Sequence, residues 1–77
     1  MRRVRVLVAE RCHLCEAALE VIERVRAEVA FELEVVDITG DPDLERRYRT
    51  ELPVVEIDGE RAFTYFVQAD ALRRRVA

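Results

Sequence analysis

Four residues, Cys12-His13-Leu14-Cys15, mark the point where the hydrophobic pattern of the chain changes its period. Before them, Val4-Arg5-Val6-Leu7-Val8-Ala9 is β-branched and turns apolar on both faces after Arg5, the signature of a strand, β1, in the middle of a covered sheet. After them, Leu14, Ala18, Val21, Ile22 and Val25 recur at helical spacing and point inward, while Glu16, Glu20, Glu23, Arg24 and Glu28 point outward. This predicts a helix, α1, of about four turns starting at Cys12. Glu20 precedes Arg24 by four places, the favourable order for a helical ion pair. A helix of this length has room to return the chain beside β1, so a parallel unit with a right-handed crossover is expected.

The rest of the chain completes that sheet. Phe31, Leu33 and Val35 alternate with Glu32 and Glu34 before Val36-Asp37-Ile38, the half-exposed pattern of a strand near an edge, β2. Asp41-Pro42-Asp43 supplies an N-cap, a first-turn proline and an acid suited to the helix dipole, and Leu44 and Tyr48 form an inward pair for a short α2 that stops near Thr50. Val54–Ile57 and Arg61–Thr64 read as β3 and β4, joined by Asp58-Gly59, whose tolerance of positive φ suits a two-residue hairpin. Gln68–Val76 places Ala69, Leu72 and Val76 on one face of α3, with Arg73, Arg74 and Arg75 as a solvated last turn and Asp70 as a first-turn acid. The expected class is therefore α/β, in the order β-α-β-α-β-β-α, with helices flanking a four-stranded mixed sheet.

Seventy-seven residues hold one core, so residues 1–77 are a single domain. With 51% hydrophobic and 38% charged residues and only two each of Gly and Pro, the composition excludes disordered and collagen-like chains. Apolar runs stay far below the ~20 residues of a membrane helix, and no apolar segment follows the basic start; a cytoplasmic protein without membrane contact is expected. Thirteen Arg against sixteen acids give a net charge of −3 with both signs spread along the chain, which argues against nucleic acid as a partner. Two cysteines three positions apart do not cross-link distant parts of a fold, so the chain is not a disulfide-stapled scaffold.

A close Cys pair at a strand-to-helix junction has a chemistry of its own. Residues three apart at a helix start share a face at roughly 5–6 Å, within the Cα separation at which a disulfide closes with little strain. Cys12, at or near the N-cap, meets the unpaired amides of the first turn, which stabilise a thiolate and make it the expected nucleophile. Arg11 could add positive charge beside it. Cys15 lies about one turn deeper, shielded by its own helix, and is the expected resolving thiol, closing a Cys12–Cys15 bridge once Cys12 has attacked a substrate disulfide. Two other readings of the pair stand beside this one: half of a zinc or iron-sulfur site completed by a second chain, since only His13 accompanies the two thiols, and a non-catalytic binding domain that keeps both cysteines.

Leu52-Pro53 is the second feature. A proline at the start of β3 donates no ladder hydrogen bond, and if its peptide bond is cis the Leu52 backbone turns outward, where it could pair with a bound peptide strand. The pattern leaves the isomer open, since only about 5–6% of X-Pro bonds in folded proteins are cis.

Taken together, the element order, Cys12-His13-Leu14-Cys15 at the first strand-helix junction, Leu52-Pro53-Val54-Val55 opening β3 and a hairpin before the last helix resemble the glutaredoxin-like branch of the thioredoxin superfamily, along essentially the whole chain. The motif is similar to the small proteins with a Cys-x-Leu-Cys centre rather than to Cys-Pro-Tyr-Cys glutaredoxins. The resemblance implies a thioredoxin-like fold, a cis Pro53 packed close to Cys12, and Leu52 contacting substrate. It implies thiol-disulfide exchange with a protein disulfide or a small-molecule thiol, recharging by glutathione, another thiol or a reductase, no cofactor, and a monomer. Where orthodox glutaredoxins carry a Gly-Gly-x-Asp-Asp-like stretch that helps hold glutathione, this chain reads Thr64-Tyr65-Phe66-Val67-Gln68-Ala69-Asp70, and no aromatic residue stands beside the cysteines in sequence. Tyr48, Tyr65, Phe63 and Phe66 are expected to pack in or around the core. His13, the one histidine, either tunes Cys12 or points to solvent.

Overall fold

The computed structural model describes residues 1–77. Its elements run β1 (Arg3–Val8), α1 (His13–Arg26), β2 (Glu32–Asp37), α2 (Pro42–Tyr48), β3 (Val54–Ile57), β4 (Glu60–Thr64) and α3 (Ala69–Val76), the expected order. The four strands form one mixed sheet in the order β2-β1-β3-β4. β2 runs parallel to β1 in the register Val6↔Val35, while β3 runs antiparallel to β1 and to β4, with one bulge in the β3–β4 ladder. β1 is thus flanked on both sides, which is why it is the most continuously apolar strand.

The pleat divides β1 into two faces. Val4, Val6 and Val8 share theirs with Val55 and Ile57 of β3, all buried. α1 and α3, packed against each other, bring Ile22, Val25, Leu72 and Val76 to the same core. On the opposite face Leu7 and Val54 are buried near the C-terminal end of β1, whereas Arg5 and Glu56 mark the other end. The Arg61 guanidinium, in register with Glu56, stacks over the Tyr48 ring of α2, which fixes α2 on this face. Seven residues of helix cover only half of the sheet. The uncovered half carries ion pairs instead, Arg3 with Glu32 and Arg5 with Glu34 and Glu56.

Local chemistry accounts for the boundaries. Asp41 caps α2 by accepting the amides of Asp43 and Leu44, and Pro42 occupies the first turn, as expected; the helix ends at Tyr48, two residues before Thr50. Asp58 and Gly59 both take positive φ, +51° and +87°, which matches the hairpin to the twist of its strands. Asp58 also closes the sheet: its carboxylate accepts the Arg3 amide at 3.0 Å and the Arg2 guanidinium at 2.9 Å, while its own amide donates to the Arg3 carbonyl.

Some side chains depart from the sequence pattern. Leu14, expected inward on α1, is 38% exposed because Cys15, not Leu14, begins the buried stripe of Cys15, Ala18, Ile22 and Val25. Val35 is also exposed, on the outer strand of the sheet. Glu20 and Arg24 form no ion pair, and α1 carries Glu23–Arg26 instead. Arg73 is not a solvated helix end: its guanidinium spans Glu28, just beyond α1, and Asp70, clamping α3 to α1.

The valine-rich core, and not the ring of exposed ion pairs, carries the stability, since such pairs contribute little in water. Ile22→Ala is expected to cost about 2–5 kcal/mol in urea unfolding. Asp58 gives a pH signature. Its hydrogen bonds from the Arg3 amide and the Arg2 guanidinium hold its carboxyl below the usual aspartate value. A carboxyl lowered in the folded state stabilises above its unfolded pKa, and that contribution is lost as pH falls through the folded value. Asp58→Asn should therefore lower the Tm at neutral pH, with the gap to the unsubstituted protein closing as pH drops below the carboxylate range.

Candidate functional site

The C-terminal end of β1 delivers the cysteines. After Val8, a three-residue loop places Arg11 at φ +57°, and the chain then enters Cys12 in extended geometry, φ −113° and ψ 102°, as the N-cap of α1. The Cys15 amide donates to the Cys12 sulfur at 3.2 Å, and the Cys12 carbonyl accepts the Glu16 amide at 3.1 Å. A cysteine sulfur thus stands where Ser, Thr or Asp usually caps a helix, facing the positive end of the dipole. The two residues form a disulfide across a Cα separation of 5.2 Å. They are not equivalent: Cys15 is 2% exposed within the core, while Cys12 is half-buried at the rim.

The loop before Cys12 is tied down by Thr39, in the segment after β2. Its hydroxyl accepts the Glu10 amide at 3.0 Å, and its own amide donates to the Asp37 carboxylate at 2.9 Å. Hydrogen bonding from Thr39, its backbone amide foremost, holds the Asp37 carboxyl below the ordinary aspartate value. The chain Asp37–Thr39–Glu10 thereby fixes the approach to the N-cap. Thr39 carries no signal in the sequence, being a lone hydroxyl in a loop with no local motif.

A cleft of about 680 Å³ opens in front of Cys12, its walls including Arg11, Leu14, Arg49, Thr50, Leu52 and Tyr65. The Leu52–Pro53 peptide bond is cis, against the base rate and as the resemblance implied. The Leu52 and Pro53 side chains are buried, yet neither the amide nor the carbonyl of Leu52 has a main-chain partner in the protein. Tyr65, expected to pack in or around the core, stands 42% exposed at the rim and lines the cleft. Held at φ +69°, it donates its amide to the Pro53 carbonyl and its hydroxyl to the Thr50 carbonyl, both at 2.9 Å. An aromatic ring absent from the cysteine motif is thus supplied to the cleft from the far end of β4. His13 points to solvent: its imidazole is 99% exposed, with Nδ1 3.3 Å from the Glu16 carboxylate.

Comparison with known proteins agrees with this architecture. The model of the Glutaredoxin-like domain (DUF836) matches residues 3–77. The chain belongs to that family. This glutaredoxin-like chain is 28% identical over 80 residues to an uncharacterized protein of Mycobacterium tuberculosis, Rv0508, covering 97% of its own length and 82% of the relative. The solution structure of Ne2328 from Nitrosomonas europaea is similar with a TM-score of 0.79 and 29% identity, over 99% of this chain and 92% of that one. Chloroplastic thioredoxin z, at 22% identity and a TM-score of 0.73 over 99% of this chain and 75% of its own, shares the thioredoxin fold. Nowhere in the glutaredoxin-like domain do three or more His, Cys, Asp or Glu side chains gather at metal-ligating distance, and no helix is long and apolar enough to cross a membrane.

Thr39→Val tests the anchoring of the loop. Removing the acceptor of the Glu10 amide should speed its hydrogen exchange about fivefold, the equivalent of one ordinary hydrogen bond, while the Val6 amide in the central strand keeps its protection.

Proposed function

We propose that the protein is a thiol-disulfide oxidoreductase in which Cys12 attacks and Cys15 resolves. The observation that carries this is the donation of the Cys15 amide to the Cys12 sulfur at the N-terminus of α1, beside a partner sulfur buried in the core. In the reduced state the same amide and the dipole stabilise a Cys12 thiolate, since the negative charge strengthens the hydrogen bond. Cys15, removed from water, keeps its proton.

The cycle balances without a cofactor. The Cys12 thiolate attacks one sulfur of a substrate disulfide, forming a mixed disulfide and expelling the other sulfur as a thiolate, which takes up a proton. Cys15 loses its proton and attacks the Cys12 sulfur, forming the Cys12–Cys15 bond and releasing the second substrate thiol. Two electrons have passed from protein to substrate; of the two protons the substrate thiols take up, one is given up by Cys15 and the other comes from solvent, which received the Cys12 proton when the thiolate formed. An external thiol or dithiol reverses these steps on the protein disulfide. The Leu52 amide and carbonyl, unpartnered beside the cleft, hold a substrate main chain by strand-like hydrogen bonds, and Pro53 behind it keeps that position free of a competing donor.

Rapid alkylation against pH on the reduced protein tests the assignment. Cys12 should titrate below the free-thiol value of about 8.5 and react first. Cys12→Ser should abolish reduction of a model disulfide, whereas Cys15→Ser should still form, and then retain, a mixed disulfide detectable by mass spectrometry. A faster Cys15 would reverse the two roles.

A further inference from the structure

Of the five large hydrophobic side chains exposed in the protein, three gather on one side of the redox cleft: Leu14, Tyr65 and Phe66, the last 68% exposed. Between them lies a groove of about 90 Å³ with a mostly apolar lining that includes Ala17 and Val21 of α1 and Val67 beyond β4. Leu14 and Tyr65 belong to the groove and to the cleft in front of Cys12 alike, so the two are continuous. Elsewhere the surface is dense in charge, and an apolar patch beside a reactive sulfur stands out against it.

Resting on the thiol-disulfide reading, we propose that the substrates are polypeptide disulfides carrying an aliphatic side chain next to the reactive cysteine, and that this groove receives that side chain. Three observations select this occupant. The groove is larger than the ~30 Å³ share of one water and smaller than the ~150 Å³ of a cavity that takes up benzene, which suits one aliphatic side chain. No charged side chain lines it, and its one side-chain hydrogen-bonding group, the Tyr65 hydroxyl, already donates to the Thr50 carbonyl, so it offers little to the carboxylates and ammonium group of glutathione. Leu52 lines the same cleft, and its amide and carbonyl, without a partner in the protein, suit an extended main chain. An extended chain advances about 3.3 Å per residue, so the residues flanking a cysteine that has reached Cys12 come within side-chain reach of Leu14, which cleft and groove share.

The test is a single-turnover reaction of the reduced protein with two symmetric peptide disulfides of equal charge, one with leucine on both sides of each cysteine and one with glycine. In each reaction the Cys12–Cys15 dithiol is oxidised and the peptide disulfide is reduced to two thiols, with no other reductant needed. Partial burial of one leucine should make the leucine peptide about tenfold faster. Ala17→Glu and Phe66→Ser should each bring the ratio of the two rate constants close to one. Because the readout is a ratio, any effect of either variant on the Cys12 thiolate or on folding yield divides out. Equal rates for both peptides in the unsubstituted protein would overturn the groove while leaving the exchange chemistry intact, as would a preference that survives both variants. Faster oxidation by glutathione disulfide than by the leucine peptide would assign the cleft to a small-molecule substrate. A dimer in sedimentation that Ala17→Glu dissociates would assign the groove to a second copy. If neither peptide reacts, the exchange reading itself falls, and the groove assignment with it.

Discussion

The hydrogen of the Cys15 amide, aimed at the sulfur three residues earlier, is the contact on which the chemistry of this fold depends. It exists because a strand whose C-terminal end is buried on both faces stops at Val8 and a helix starts after Cys12, leaving first-turn amides with no partner of their own. Most proteins satisfy such amides with an oxygen. Using a sulfur places the group that must become anionic where the backbone already favours negative charge. The same turn of helix carries Cys15 inward to the apolar stripe, so one structural element creates two different thiol environments.

Much of this was legible in the chain because the relevant signals are local. The period change at Cys12, the Asp41-Pro42 cap and the Asp58-Gly59 turn each depend on neighbouring residues, and each appears in the fold where the pattern places it. What was not legible depends on contacts across the sequence. Leu14 fits the inward helical pattern, but the start of the helix is rotated so that the cysteine is buried in its place. Arg73 looks like an ordinary solvated cation until α3 is laid against the end of α1 and Glu28 comes within reach. Tyr65 reads as packing because its role rests on a positive φ and on carbonyls at positions 50 and 53. Thr39 is hidden for the same reason, its partners being 2 and 29 residues away.

The cleft is accordingly assembled from four separate segments: the β1–α1 loop, the segment after β2, the α2–β3 connection and the end of β4. Side-chain and backbone hydrogen bonds join them in pairs, Thr39 to Glu10 and Tyr65 to Thr50 and Pro53, and Arg61 adds an ion pair to Glu51 at 2.7 Å on the α2 side. Each bond is modest in water, yet together they set the positions of groups that belong to no common element. Sequence distance and spatial order are decoupled here. That is why the cysteine motif can be recognised at once whereas its surroundings emerge only from the fold.

The shortness of α2 has a mechanical consequence. Near the cysteines the molecule is a three-layer sandwich, helix on both sides of the sheet, while the far end of the sheet has one side open and decorated with paired charges. Thermal fraying should therefore begin at the thin end, where the ladder bonds are closest to solvent, and travel toward the thick end last. Rigidity should then be graded along the strands, with the stiffest ground under the two sulfurs.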